Sequence, residues 1–415
     1  ETEKEHEDIL EQADETDAMF GELYSWYLRN PEYRSRVQKL VQSAFAGKPE
    51  DIISQSVAKA LYGEVSPYSA TRLERFAACA FAHFLQYGMK LTERVEYEFK
   101  PMDMGNVMHE ALESFAEEVR KRGMKWTELT EQERNEIADR CLDNIVADYG
   151  NTVLKSSARN EYMIERTRRI LRRTVWALQK QLEQGEFQPE GFEVTFGGGR
   201  IDRVDIMEDQ NKVYVKVIDY KTGNTSFDLV YLYHGLQLQL MIYLDGALRV
   251  EQKKYPDKEI IPAGVFYYNI KDPMIQEKID ADVEAVSAGL MKELKMNGLV
   301  QADPELVYRM DSSLGSIPVA FNKDGSFRKN SSVADRTQFA VLGRYVRTKI
   351  EKIRSSILEG DAEVSPYELG KKNACTYCPY MTVCGFDRRL SGYEFRRLKN
   401  FSDEELWKAF DREAE

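Results

Sequence analysis

The spacing of apolar positions divides the chain into successive regimes. Up to about residue 184 the period is helical. Stretches such as "AMFGELYSWYLRN" and "SRVQKLVQSAF" scatter apolar residues through a polar background. "SATRLERFAACAFAHFL" predicts a helix from a Ser69 N-cap to about Gly88, with Cys79 inside it. In "PMDMGNVMHEALESFAEEVRKRG", apolar residues at 104, 107, 108, 111, 112 and 115 make one stripe. Asp103 is placed to cap that helix, and His109 and Glu113 share a face beside the stripe. Two more helices are expected over about 130–149 and 156–184.

The period then shortens to two. "FEVTFGG", "GRIDRVDIME" and "KVYVKVIDYK" alternate apolar and polar residues between Gly-rich and Asp-Gln-Asn turns, which predicts a three-stranded antiparallel meander. A helix, "HGLQLQLMIYLDGALRV", and an apolar strand, "IPAGVFYYNI", follow. This order predicts an α/β fold, a mixed sheet flanked by helices. Further helices are expected near 277–297 and 335–359, with a loop containing "NKDGSFRKNSS" between them. No apolar run is long enough for a membrane span, and the charged start "ETEKEHEDILEQADETD" is unlike a secretory signal. A soluble, cytoplasmic protein is expected. Its first residue is not Met, so the chain is read as a fragment or processed product.

Charge changes the picture locally. The net charge is −12, yet residues 323–399 carry sixteen Lys/Arg against nine acids. That segment is either a polyanion-facing surface or an unevenly charged solvated one. No G-x-x-x-x-G-K-[ST] stretch is present, so this chain carries no P-loop of its own.

Two groups of residues carry candidate chemistry. In "IDYKTG", Asp219 and Lys221 project from one face of a strand while Tyr220 points away. Alone, this reads far more readily as a surface ion pair, and only its context changes that. In the preceding strand, Asp202 and Asp205 are three apart and face opposite ways, so one of them joins Asp219 and Lys221. A carboxylate from each of two adjacent strands suits a hard divalent ion such as Mg²⁺ or Mn²⁺. Such an ion polarises a phosphate oxygen and acidifies a water, and a lysine beside it steadies developing charge. His109 is a further candidate ligand or a structural histidine. Gln239 and Tyr243, four apart on the next helix, either touch this group or DNA, or are amphipathic edge residues. The second group is cysteine: Cys375, Cys378 and Cys384 in "CTYCPYMTVC" are three thiols where soft-metal sites use four. Cys79 and Cys141 are the other cysteines, and zinc and iron–sulfur both accept four thiolates. Cys141, in a helical pattern, reads as a buried free thiol.

"GNVMHEALE", "GRIDRVD", "VIDYKTG" and "QLQLMIY", in this order, resemble the RecB-type branch of the PD-(D/E)XK nuclease superfamily. The resemblance implies metal ligation by His109, Asp202 and Asp219. Catalytic roles fall to Asp202, Asp219, Lys221, Gln239 and Tyr243. It prefers Asp202 to Asp205 because the family acid follows a G-x-[IVL] triplet. One cysteine before the core and three after it look like the AddB-type subunits of bacterial AddAB helicase–nucleases, as do "SATRLERFAACAF", "SVADRTQFAVL" and "ACTYCPYMTVCGFD". By that likeness Cys79, Cys375, Cys378 and Cys384 hold a 4Fe–4S cluster, with zinc as the alternative. Residues 1–66 would be a helical remnant of a helicase-like region, 67–390 a nuclease domain with its core at about 100–270, and 391–415 a tail. The family's activity would be Mg²⁺-dependent exonuclease hydrolysis of single-stranded DNA during double-strand-break processing for recombination. An AddA-type partner would supply the ATP-driven motor and a second nuclease. Two other readings stay open: an inert module that binds single-stranded DNA, and a standalone iron–sulfur nuclease of the CRISPR-adaptation type. The length of the insert before the cysteines speaks against the latter.

Overall fold

The structure, a computed structural model, describes residues 17–45, 52–63, 68–92, 101–148, 157–197, 199–275, 282–390 and 392–414. Most of the acidic start, the expected boundary at 66/67 and the expected helix start at 277 lie outside the described residues.

Helices lead, as the 3.6-residue period predicts: α1 (17–29), α2 (Pro31–Phe45), α3 (Gln55–Tyr62), α4 (Ala70–Ala78) and α5 (Ala80–His83). Next come α6 (Pro101–Lys121), α7 (Glu131–Asp148) and α8 (Ala158–Glu183). The alternating segments form the expected meander of β1 (Gln188–Phe196), β2 (Gly199–Asp209) and β3 (Lys212–Lys221). After α9 (Leu229–Tyr233) and α10 (Gln239–Lys254), β4 (Glu259–Asn269) lies parallel to β3, a pairing that requires a crossover such as these helices supply. Then follow α11 (Val283–Glu293), β5 (Asn297–Gln301), α12 (Pro304–Met310), β6 (Val333–Ala334) and α13 (Arg336–Glu359). The sheet runs β1-β2-β3-β4-β5-β6 and is mixed, with β5 antiparallel to β4 and β6 parallel to β5.

Both faces of the sheet are covered. Met108, Leu112 and Phe115 of α6, Leu142 of α7 and Leu171 of α8 pack against Tyr214, Ile218 and Tyr220. On the other face Leu240 and Leu244 of α10, Leu342 and Tyr345 of α13 and Leu73 of α4 pack against Val213, Val215 and Val217. Successive β3 residues thus enter different cores, which explains the nearly unbroken burial of that strand. Ala58 of α3 joins the second core. So does Phe410 of α15 (Asp403–Ala414). The cysteine segment between α13 and α15 holds a small sheet of β7 (Tyr367–Leu369), β8 (Lys372–Asn373) and β9 (Arg396–Arg397), together with α14 (Met381–Cys384). Among the described residues no helix is long and apolar enough to cross a membrane.

Four expectations change. The helix through Cys79 is broken there: Ser69 caps α4, accepting the Arg72 N–H, but Cys79 is extended at φ −166°, ψ 117°. Its thiol is buried, and burial raises its pKa although the nearby backbone N–H groups of Ala82, Ser365 and Phe81 favour the thiolate. Asp103 lies in the first turn of α6 instead of capping it, because the helix starts at Pro101, whose fixed φ suits a first position. The helix expected from 234 starts only at Gln239, after Gly235 takes φ +79°. Finally, the helix expected over 277–297 gives way to β5 at its end. A Cβ on Gly298 of that strand would lie 1.9 Å from the Val265 carbonyl oxygen, so β5 requires a residue that carries no strand signal of its own.

Candidate active site

The alternation of β3 sends Asp219 and Lys221 to one side and Tyr220 to the other. Lys221 Nζ lies 2.6 Å from Asp219 Oδ2 and donates to Gln239 Oε1 at 2.7 Å. Gln239 Nε2 in turn donates to the Tyr243 hydroxyl at 2.9 Å, one helical turn further along α10. Gly199 starts β2 with φ +154°, and a Cβ there would lie 3.4 Å from the Tyr243 ring.

Asp202 and Asp205 part as their spacing requires. Asp202 Oδ2 accepts the Tyr220 N–H at 2.7 Å and lies 3.3 Å from His109 Nδ1, so β2, β3 and α6 meet at this carboxylate. Asp205 is fully buried in a different network, 2.6 Å from Arg203 Nε and 3.0 Å from Lys216 Nζ. Burial opposes its charge, but those two cations outweigh burial and hold its pKa below the ordinary carboxylate value.

One residue of the site escaped the sequence reading. Glu193 sits between the register pairs Phe192↔Arg203 and Val194↔Ile201, which sets it directly across from Asp202. Its φ of +48° is uncommon for a residue with a side chain. Ligand atoms of His109, Glu193 and Asp202 all lie within 4.8 Å of one another. Asp219 is a close electrostatic neighbour of Asp202 and His109 but stands outside that trio, turned toward Lys221. The signal that finds Glu193 is the hairpin: pairing Phe196 with Gly199 across the turn counts back to Glu193 opposite Asp202.

The electrostatics are those of a cation site. Burial and the Asp202 charge push Asp219 up to about 7. Burial and Asp202 likewise push Glu193 to about 7, although Arg200 pairs with it. For His109, burial opposes the imidazolium, but Asp202, Asp219 and Glu193 outweigh it and raise the pKa. Asp219 Oδ2 is buried without an aligned hydrogen bond. Like charges facing each other across a strand pair destabilise the fold unless a cation lies between them. The donor set of carboxylate oxygens with one imidazole fits a divalent ion of the Mg²⁺ or Mn²⁺ kind.

Cys79, Cys375, Cys378 and Cys384 line one small pocket between α5 and the C-terminal segment, with Phe81, Ala82, Val364 and Phe386 among its walls. The break at Cys79 turns its thiol into this pocket. Four thiols, an apolar wall and backbone N–H groups near the Cys79 sulfur that favour its thiolate fit a four-thiolate metal group. Cys141 lies elsewhere, buried in α7, where burial raises its thiol to about 11. Of the sixteen basic residues of 323–399, seven meet a carboxylate: Arg336, Arg347, Lys352, Arg354, Arg389, Arg397 and Lys399.

A mixed sheet covered on both faces, with an Asp-x-Lys strand beside an Asp-bearing hairpin and a histidine-bearing helix, defines a nuclease architecture. The sequence model of the PD-(D/E)XK nuclease superfamily matches residues 67–385, and the chain belongs to that superfamily. Among curated relatives, it is 41% identical to the B subunit of the ATP-dependent helicase/deoxyribonuclease of Lachnoclostridium phytofermentans, over 96% of this chain and 36% of that protein. It is 34% identical to the protein of the same name from Thermoanaerobacter sp. (strain X514), over 97% of this chain and 37% of that protein. The counterpart in Clostridium acetobutylicum is 33% identical, over 96% of this chain and 36% of that protein. The chain therefore spans 36–37% of the length of these relatives.

Proposed function

We propose that this chain is the nuclease portion of an AddB-type subunit and hydrolyses phosphodiester bonds of single-stranded DNA with a divalent cation, as an exonuclease. The observation that supports this best is the convergence of His109, Glu193 and Asp202 beside the Asp219–Lys221–Gln239 chain of contacts. His109, Asp202 and Asp219, with Glu193, would hold the ion, Mg²⁺ or Mn²⁺. When bound, it supplies Lewis-acid polarisation of a phosphate oxygen and a more acidic water. The protein's own part is positioning and charge. Asp219 and Gln239 fix the Lys221 ammonium from two sides, where it orients the nucleophile and steadies negative charge developing on the phosphoryl group. Tyr243, buried one turn further along α10, accepts from the Gln239 amide and so helps hold Gln239 toward Lys221.

The relatives' names describe helicase/deoxyribonuclease subunits, which supports a helicase partner of the AddA type feeding single strands from double-strand breaks during recombination. Cys79, Cys375, Cys378 and Cys384 would hold a 4Fe–4S cluster that ties α4 and α5 to the C-terminal segment. Residues 67–390 are taken as the nuclease unit, preceded by the end of a helicase-like region and followed by a tail whose helix α15 packs back on α13. The test is digestion of labelled single-stranded DNA with Mg²⁺ by wild type and Asp219→Ala. Loss of cleavage in the variant is expected, and equal cleavage by both would refute the assignment.

A further inference from the structure

Helix α10 carries Gln239 and Tyr243 at its first turns, yet its N-cap residue, Leu238, provides no side-chain cap. A helix start leaves N–H groups that need acceptors, and one that is packed against a sheet cannot rely on water for all of them. The acceptor comes from far upstream. Oε1 of Glu74, on α4, takes the Leu238 N–H at 2.7 Å and the Gln239 N–H at 2.9 Å. From there the contacts run on: Gln239 Oε1 accepts from Lys221 Nζ, and Lys221 meets Asp219. Glu74 lies on the same helix whose C-terminal cap is Cys79, so one short helix touches both the cysteine pocket and the start of α10.

We propose that Glu74 is a positioning residue for the nuclease reaction: by capping α10 from outside it fixes Gln239 and, through Gln239, the orientation of Lys221. This inference rests on the proposed nuclease reading. Glu74 acts through the backbone of its neighbours, and one oxygen makes both contacts. An amide oxygen at the same reach therefore serves as well as a carboxylate, while a shorter acid falls short.

The experiment uses the full chain, Mg²⁺ and a fluorescein-labelled single-stranded oligonucleotide. Glu74→Ala is expected to lower kcat by roughly 100-fold with KM nearly unchanged, the size of effect that misplacing a catalytic group produces. Glu74→Gln is expected to recover most of the rate and Glu74→Asp little of it. Combined with Gln239→Ala, Glu74→Ala should add almost nothing further, as expected for residues acting through one another. In parallel, amide hydrogen exchange at Leu238 and Gln239 should quicken in Glu74→Ala and not in Glu74→Gln, a readout independent of cleavage. Full activity in Glu74→Ala, additive losses in the double variant, or rescue by Asp and not by Gln would each overturn the proposal. Should the wild type cleave nothing while exchange at Leu238 and Gln239 still depends on Glu74, the nuclease reading fails and the capping stands. Glu74→Gln also guards against a merely unfolded Glu74→Ala, since it retains the acceptor.

Discussion

At Asp202 and Asp205 the same side chain meets opposite surroundings, and the two should answer mutation in opposite ways. Asp205 pairs with both Arg203 and Lys216 in the core. Asp205→Ala leaves two buried cations unpaired and is expected to cost about 3–5 kcal/mol, read by urea denaturation. Asp202 faces Glu193 and lies near Asp219, so Asp202→Asn, which keeps an acceptor for the Tyr220 N–H, relieves repulsion in the metal-free protein. Its metal-free stability should match or exceed that of wild type, while its stabilisation by Mg²⁺ disappears. A second residue-level expectation concerns pH. Asp219 titrates at about 7 in the fold, well above an ordinary carboxyl. A carboxyl raised by folding stabilises the protein while protonated, and that contribution is lost as pH climbs from about 4 towards 7. Asp219→Asn, which mimics the protonated form, should therefore become progressively more stable than wild type across this window without metal. The gap should level off above it and shrink when Mg²⁺ is added. Thermal melts at stepped pH check this; a gap that narrows with rising pH without metal would contradict the charge balance drawn for the site.

At the scale of elements, the β1–β2 hairpin shows what the chain reveals and what it hides. Alternation alone places Asp219 with Lys221 and separates Asp202 from Asp205, because side-chain direction in a strand is fixed by period two. Glu193 stays hidden until the hairpin closes, since its importance lies in a cross-strand neighbour and not in its own segment. β5 is hidden for another reason: five residues that include a glycine carry too little pattern to outweigh the helical period before them. The break at Cys79 is invisible in a run of good helix formers, because it depends on tertiary acceptors and donors around the thiol. The hairpin is held from above by α10. A Cβ on Gly246 would come within 2.7–2.9 Å of the Phe196 ring, next to the turn that leads to Gly199. Gly246→Ala is thus expected to destabilise by about 1–3 kcal/mol through overpacking. It should also weaken Mg²⁺-dependent stabilisation, because moving Phe196 moves the strand that carries Glu193. Calorimetric titration with Mg²⁺ reads the second effect separately from the first.

Across the whole molecule, the cysteines join positions about three hundred residues apart, with the sheet and both helical layers between them. Their spacing makes the three C-terminal thiols legible as an incomplete set, and the family likeness names Cys79 as the fourth. The fold adds that α4, which leads into Cys79, also supports α10. Closing a loop of this length in the unfolded chain removes on the order of 5 kcal/mol of entropy that folding would otherwise lose. A four-thiolate group held there, as proposed, should therefore stabilise the whole fold rather than the C-terminal segment alone. Cys378→Ser is expected to lower iron and sulfide content (or zinc, should zinc occupy the pocket) and to reduce the melting temperature of the entire chain in one transition. Limited proteolysis should then cut first between α13 and α15, where the small sheet of β7, β8 and β9 loses its anchor. Because α4 carries the cap for α10, exchange at the Leu238 and Gln239 amides should also quicken, although both lie outside the cysteine pocket. A variant that loses its metal yet keeps those amides protected and melts as wild type would show that the clasp is local and that the two sites share a helix without sharing stability.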